Sequence, residues 1–281
     1  VYTQIIVISV TLVILIISSM YFISRGFRKP VYLLLNTFNK VKEGIYITAP
    51  IVSSDEMGVL TSNFNKMVQG LKEREYIKDT FGKFVTEEIA QEILKGNIKL
   101  SGTTKVITIL FTDIANYTTI TENLEPVETV NILNSYFSEI VEIVKQNKGV
   151  VNKFIGDAVM AIFGAPIDDA NHVENAIKCG LEIQSREFIY DGVVLKTRVG
   201  INTDKVLVGN IGTANRMEYT VIGDGVNVAS RLETLNKKYN TTLLIGENSY
   251  EITKDLFKFE EMGRELLKGK TNFVKVYKII I

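Results

Sequence analysis

Two carboxylates stand apart from the rest of the 281-residue chain by their setting. Asp113 closes an apolar run, VITILFTDI, and Asp157 falls at the Gly156-Asp157 step of VVNKFIGDAVMAIFG, where it and Lys153 are the only charges. Short apolar runs bounded by turn signals read as strands, so Asp113 belongs at a strand end and Asp157 in a hairpin turn. Either alone is an ordinary cap or turn residue. As a pair on rigid backbone they make an oxygen site of fixed span. The chain holds one histidine, His172, and one cysteine, Cys179, so the donor set suits Mg²⁺ or Mn²⁺ and not zinc. Two such ions bridged by the carboxylates would activate a hydroxyl and neutralise charge on a phosphate.

Phosphate-seeking groups follow downstream. In EYTVIGDGVNVASRLE, Asn227 and Arg231 are four apart and share one face of a helix. Arginine offers a fork of donors to phosphate oxygens, and asparagine can hold a ribose or orient a reacting group. Lys268, in LLKGKTNF, is a further cation of this kind. That segment is not a Walker loop, because five residues separate Gly263 from Gly269-Lys270-Thr271 where the motif needs four. His172, beside PIDDAN, reads as a helix-start or surface residue, and Cys179, in HVENAIKCGLEIQ, has no partner for an intrachain disulfide and suits a reduced setting.

The elements that must position these groups are mixed. From about Lys105 the chain alternates strand and helix patterns: VITILFTDI, the helix PVETVNILNSYFSEIVEIVKQN, two apolar segments about the Gly-Asp turn, a helix near 172–187, a strand LKTRVGINT, a short strand near VLVGNIG, the segment YTVIGDGV, the helix NVASRLETLNKKY and closing strands. The order predicts an α+β sandwich. Upstream, residues 1–24 carry no charge and read as a transmembrane helix. The basic Arg25, Arg28 and Lys29 come after the apolar run, which is the wrong order for a signal peptide and predicts that everything downstream is cytoplasmic. The start at Val1 fits a piece of a longer protein. Lys and Arg total 32 against 32 Asp and Glu, with no basic run beyond two residues, so a nucleic-acid partner is not expected.

After Pro30, which suits a helix start, Val31, Leu34, Phe38 and Val41 form a heptad seam. The connector EGIYITAPIVSSDEMG offers Ser53, Ser54 or Asp55 as a cap, and the seam resumes at Met57, Leu60, Phe64, Met67 and Leu71. It loses phase near Arg74, either a helix junction or a point where helix rotation is converted into a different packing. Residues 25–76 resemble a HAMP domain, which implies a parallel four-helix bundle formed on dimerisation.

The motifs FTDIANYT, NKFIGDAVMAIF, RMEYTVIGDGVNVASRLE and the late KGK stand in an order that resembles class III nucleotidyl cyclases, over residues 105–281, with 77–104 as a coiled-coil linker. The resemblance implies a ferredoxin-like catalytic domain acting as a homodimer with active sites at the subunit interface. It also implies two metal ions per site on Asp113, Asp157 and the Ile114 carbonyl, and purine recognition by Lys153 and Thr220. Asn227 would hold the ribose, Arg231 the charge at the reacting phosphate, and Lys268 the terminal phosphates, with Arg216 as an added phosphate contact. Adenine offers an N1 acceptor and a 6-amino donor, which a lysine and a threonine complement, so ATP is the expected substrate. Many relatives carry aspartate where Thr220 stands, a departure within the family's range. The implied protein is a membrane-anchored adenylate cyclase. The alternatives are a guanylate cyclase and a degenerate, purely regulatory dimerisation module. A histidine kinase is excluded because residues 71–110 hold no histidine, and a diguanylate cyclase because no GGDEF-like string occurs.

Overall fold

The structure, a computed structural model, describes residues 2–84, 89, 102–122, 124–213, 216–266 and 273–280, with backbone alone at 23–26, 79, 81–84 and 216. Lys268 and most of the expected linker lie outside the described residues, as does the Arg216 side chain. The chain divides into two units, residues 1–84 and 85–281.

The first unit is a pair of helices. α1 (Tyr2–Lys42) begins in a stretch of mean hydropathy 2.6, long and apolar enough to cross a membrane by length and composition. It runs unbroken through Pro30, so Pro30 does not start a helix as expected. The proline ring removes the N–H that would reach the Gly26 carbonyl, and a glycine backbone yields to that ring most easily. α2 (Glu56–Phe84) is capped as expected, with Asp55 Oδ1 accepting the Met57 N–H at 2.9 Å. It continues past Arg74, so the loss of heptad phase is not a helix junction. Phe38 and Phe64 meet with ring centroids 6.5 Å apart. Asn65 clasps the connector, its Oδ1 accepting from the Ala49 N–H at 2.8 Å and its Nδ2 donating to the Ala49 carbonyl at 2.9 Å.

The second unit is built on an eight-stranded sheet ordered β2-β3-β1-β6-β8-β10-β9, with β7 paired to β6. The strands are β1 (Thr103–Ile114), β2 (Val150–Ile155), β3 (Ala158–Phe163), β6 (Thr197–Thr213), β7 (Arg216–Ile222), β8 (Leu243–Gly246), β9 (Phe259–Glu265) and β10 (Val274–Ile279), with a separate hairpin β4 (Phe188–Tyr190) and β5 (Val193–Leu195). The helices are α3 (Tyr117–Thr121), α4 (Pro126–Gln146), α5 (His172–Ser185), α6 (Asp224–Tyr239) and α7 (Glu247–Thr253). LKTRVGINT and VLVGNIG are not separate strands but halves of the 17-residue β6, whose two ends serve different partners, β1 and then β7.

Alternation along β1 sorts its side chains between two cores. Leu110 and Ile114 pack with Tyr136, Ile140 and Ile143 of α4 and Ile177 of α5. Ile107, Ile109 and Phe111 pack on the opposite face with Val221 of β7 and Ala229 of α6. Asp113 has the parity of Phe111 and therefore lies on the α6 face. Gly200 lets α6 close on the sheet, since a Cβ there would stand 2.2 Å from the Glu233 nitrogen and 2.4 Å from the Ala229 carbonyl oxygen.

Candidate active site

The β2–β3 hairpin turns in two residues, Gly156 and Asp157, with Ile155 paired to Ala158. Gly156 has φ +65°, the left-handed value that the first position of such a turn demands. The hairpin is anchored to α4 by Phe154 and Phe137, whose rings meet with centroids 4.4 Å apart, and to β1 by the Thr112–Val159 register. This delivers Asp157 to Asp113 within hydrogen-bonding reach. Burial first, then the hydrogen bond to and the charge of Asp113, push the Asp157 carboxyl up to about 6, against partial relief from its own N–H and that of Ile114. Ile114, 1% exposed in the α4 core, fixes the backbone at this point.

Beneath the pair, the buried Tyr136 donates to Thr112 Oγ1 at 3.3 Å and accepts from Thr197 Oγ1 at 3.2 Å. On the other face Arg198, directly opposite Asp113 in the β1–β6 register, ion-pairs with it and brings its Nε within 2.9 Å of Glu233 Oε1 on α6, close but off the hydrogen-bond line. Burial and the nearby Asp113 push the Glu233 carboxyl up to about 7, with Arg198 opposing.

Two carboxylates held this close, with the Asp157 carboxyl pushed up partly by Asp113, make a site that suits a cation. No group of three or more His, Cys, Asp or Glu gathers among the described residues, and Asp113 with Asp157 is a set of two carboxylates. That fits Mg²⁺ or Mn²⁺, which leave their remaining positions to water and to substrate phosphates.

A second cluster lies where β7 meets β2. The register of β2 on β3 shifts between Val151 and Lys153. Val151 joins the α4 core, while Asn152 and Lys153 both meet β7. Lys153 Nζ is 2.5 Å from Glu218 Oε1. Asn152 Nδ2 donates to the Tyr219 carbonyl at 2.9 Å, and Thr220 Oγ1 donates to Asn152 Oδ1 at 3.3 Å.

A family model described as the adenylate and guanylate cyclase catalytic domain matches residues 100–280. The chain belongs to this family. Adenylate cyclase 1 of Rhizobium meliloti (strain 1021) is 36% identical over 181 residues, 62% of this chain and 27% of that protein. The chain therefore spans about a quarter of that relative's length. Among solved structures, the adenylyl cyclase CyaB from P. aeruginosa matches with TM-score 0.58 and 30% identity over 65% of this chain and 97% of that one. The guanylyl cyclase Cya2 matches with TM-score 0.55 and 29% identity over 64% and 93%.

Asp113 and Asp157 come together, while Lys153 meets Glu218 and Thr220 meets Asn152 at positions two apart on β7. Among the described residues no hydrogen bond or ion pair joins the two clusters within one chain. Asn227 is exposed near the start of α6 and Arg231 is half-buried one turn on. Arg216 opens β7. His172 starts α5 as read, with Nδ1 2.8 Å from Thr108 Oγ1, and burial pushes its pKa down. Burial pushes the Cys179 thiol up, away from nucleophilic use. Sequence reasoning missed Arg198, Glu218 and Asn152. Arg198 gave no such signal as Lys153 did, because Lys196 stands two residues before it in LKTRVGINT, and its significance depends on the β1–β6 register.

Proposed function

We propose that the chain is part of a membrane-anchored adenylate cyclase, converting ATP to 3′,5′-cyclic AMP and pyrophosphate. The observation that carries the reading is that the β2 bulge brings Lys153 to Glu218 and Asn152 to Thr220, two positions apart on β7, so that a donor and an acceptor suited to the N1 and 6-amino groups of adenine stand on one patch. Asn227 would hold the ribose so that its 3′ hydroxyl attacks the α-phosphorus in line with the departing pyrophosphate. Arg231 would meet the charge on the reacting phosphate, and Lys268 with Arg216 the phosphates beyond it. Divalent cations held by Asp113, Asp157 and the Ile114 carbonyl would favour ionisation of the hydroxyl and offset phosphate charge. Because α6 carries Asn227 and Arg231 while β1 and the hairpin carry the carboxylates, a homodimer would complete two equivalent sites, each drawing on both chains.

The apolar start of α1 supports the anchor. The clasped connector, with Phe38, Leu60 and Met67 half exposed along the seam, supports a HAMP bundle that closes on dimerisation.

A guanylate cyclase is the second reading, favoured by Glu218, whose carboxylate beside Lys153 could accept from the N1 and 2-amino donors of guanine. Incubating the full chain in detergent with Mn²⁺ and either ATP or GTP separates the two. Cyclic AMP as the main product, abolished in Asp157→Ala, is the expected result. Cyclic GMP as the main product would move the conclusion to the second reading. No cyclic nucleotide from either substrate would leave only a regulatory dimerisation module.

A further inference from the structure

We infer that Asn152 sets the direction of the Thr220 hydroxyl and through it the purine preference, an inference that rests on the assignment of Lys153 and Thr220 to the base. A threonine hydroxyl can donate or accept, so by itself it separates adenine's 6-amino group from guanine's 6-oxo group poorly. In this chain the choice is made locally. The amide nitrogen of Asn152 lies 2.9 Å from the Tyr219 carbonyl oxygen. A carbonyl only accepts, so the nitrogen must face it and the amide oxygen must face away. That oxygen is 3.3 Å from Thr220 Oγ1 and takes its proton. With its proton committed, Thr220 presents lone pairs alone, which welcome a 6-amino donor and repel a 6-oxo acceptor.

The strand irregularity makes this possible. The register shift between Val151 and Lys153 lets two successive side chains meet β7, so the lysine donor and the oriented acceptor arrive at one patch. Regular alternation would send Asn152 and Lys153 to opposite faces. Asn152 also opposes the guanine reading that Glu218 favours. Glu218 is engaged by Lys153, while the group facing position 6 of the purine is held as an acceptor. Asn152 acts through Thr220 and is a positioning residue.

The test is the ratio of kcat/KM for ATP over GTP, measured on the full chain in detergent with Mn²⁺. Asn152→Ala should lower that ratio about fivefold. In a Thr220→Val background, where no hydroxyl remains to orient, the same substitution should leave the ratio within about twofold. Asn152→Asp keeps an acceptor oxygen for Thr220 and should retain the parental ratio even where total turnover drops, which keeps the inference testable if the alanine variant does not fold. An unchanged ratio in Asn152→Ala, with Thr220→Val altering it, overturns the inference and leaves the base assignment standing. An unchanged ratio in Thr220→Val overturns both. Equal losses from Asn152→Ala in the parental and Thr220→Val backgrounds would make Asn152 a support for the strand and nothing more, and overturn the inference.

Discussion

Asp157 is the residue whose setting says most about what the site awaits. Its carboxyl is pushed from 3.8 up to about 6, first by burial and then by Asp113. A folded-state value above the unfolded one means that the metal-free fold holds a proton the unfolded chain has already released. The stability from this proton is full below about pH 4 and is lost as pH rises through about 6. Cation binding makes the opposite demand, because a ligand carboxylate must be ionised. Mn²⁺ affinity should therefore fall about tenfold per pH unit on acidification below about pH 6 and level off above it. Calorimetric titration with Mn²⁺ between about pH 5 and about pH 7 checks this, and a flat profile would remove Asp157 from the ligand set. The two aspartates were legible in the sequence because a charge in an apolar run is conspicuous. Arg198, Glu218 and Asn152 were not, because each gains meaning only from a partner at least 35 positions away, brought near by strand register and a bulge that no local pattern announces.

Among the elements, the β2–β3 hairpin does the positioning, and its turn is the part most exposed to a single change. A Cβ at Gly156 would meet nothing within 4 Å, so Gly156→Ala introduces no clash and its whole cost is the left-handed φ of +65°. That cost is about 1–2 kcal/mol of stability if the turn is kept. If the turn relaxes instead, Asp157 moves relative to Asp113, and catalysis is far more sensitive to such displacement than stability is. The expected outcome is a folded protein with thermal stability lowered modestly and cyclase activity lowered about tenfold or more, followed by thermal melts and product formation on one preparation. Undiminished activity with lowered thermal stability would mean that the turn is kept, and undiminished activity with unchanged stability would mean that Gly156 carries no left-handed demand. The hairpin could be foreseen because Gly-Asp between apolar runs is a local signal. The length of β6 could not, since it is decided by what pairs alongside, and the continuity of α1 through Pro30 could not, since a proline reads locally as a helix start or break.

At the scale of the whole molecule, the distribution of the site residues over the elements makes a quantitative demand. The carboxylates sit on β1 and the β2–β3 turn, while Asn227 and Arg231 sit on α6, which reaches Asp113 within its own chain through Arg198 and Glu233. If each site takes its carboxylates from one chain and its α6 residues from the other, damage to the two sets in separate chains is repairable by mixing. A homodimer of Asp157→Asn has both metal sets broken, and a homodimer of Asn227→Ala has both ribose contacts broken. A mixed dimer concentrates both lesions in one site and leaves the other whole. Random assortment of equal amounts makes half the dimers mixed, each with one intact site of two, so the mixture should recover about a quarter of the parental activity. Co-expression of the two variants with distinct affinity tags, followed by cyclic nucleotide assay of doubly purified dimers, should show about half the parental rate, since every molecule then carries one intact site. If the sites were complete within single chains, both lesions would remain damaging in every mixed dimer and the mixture would show only the mean of the two variants. Recovery above that mean is thus the signature of a site built by two chains, and it depends on no assumption about which purine the site prefers.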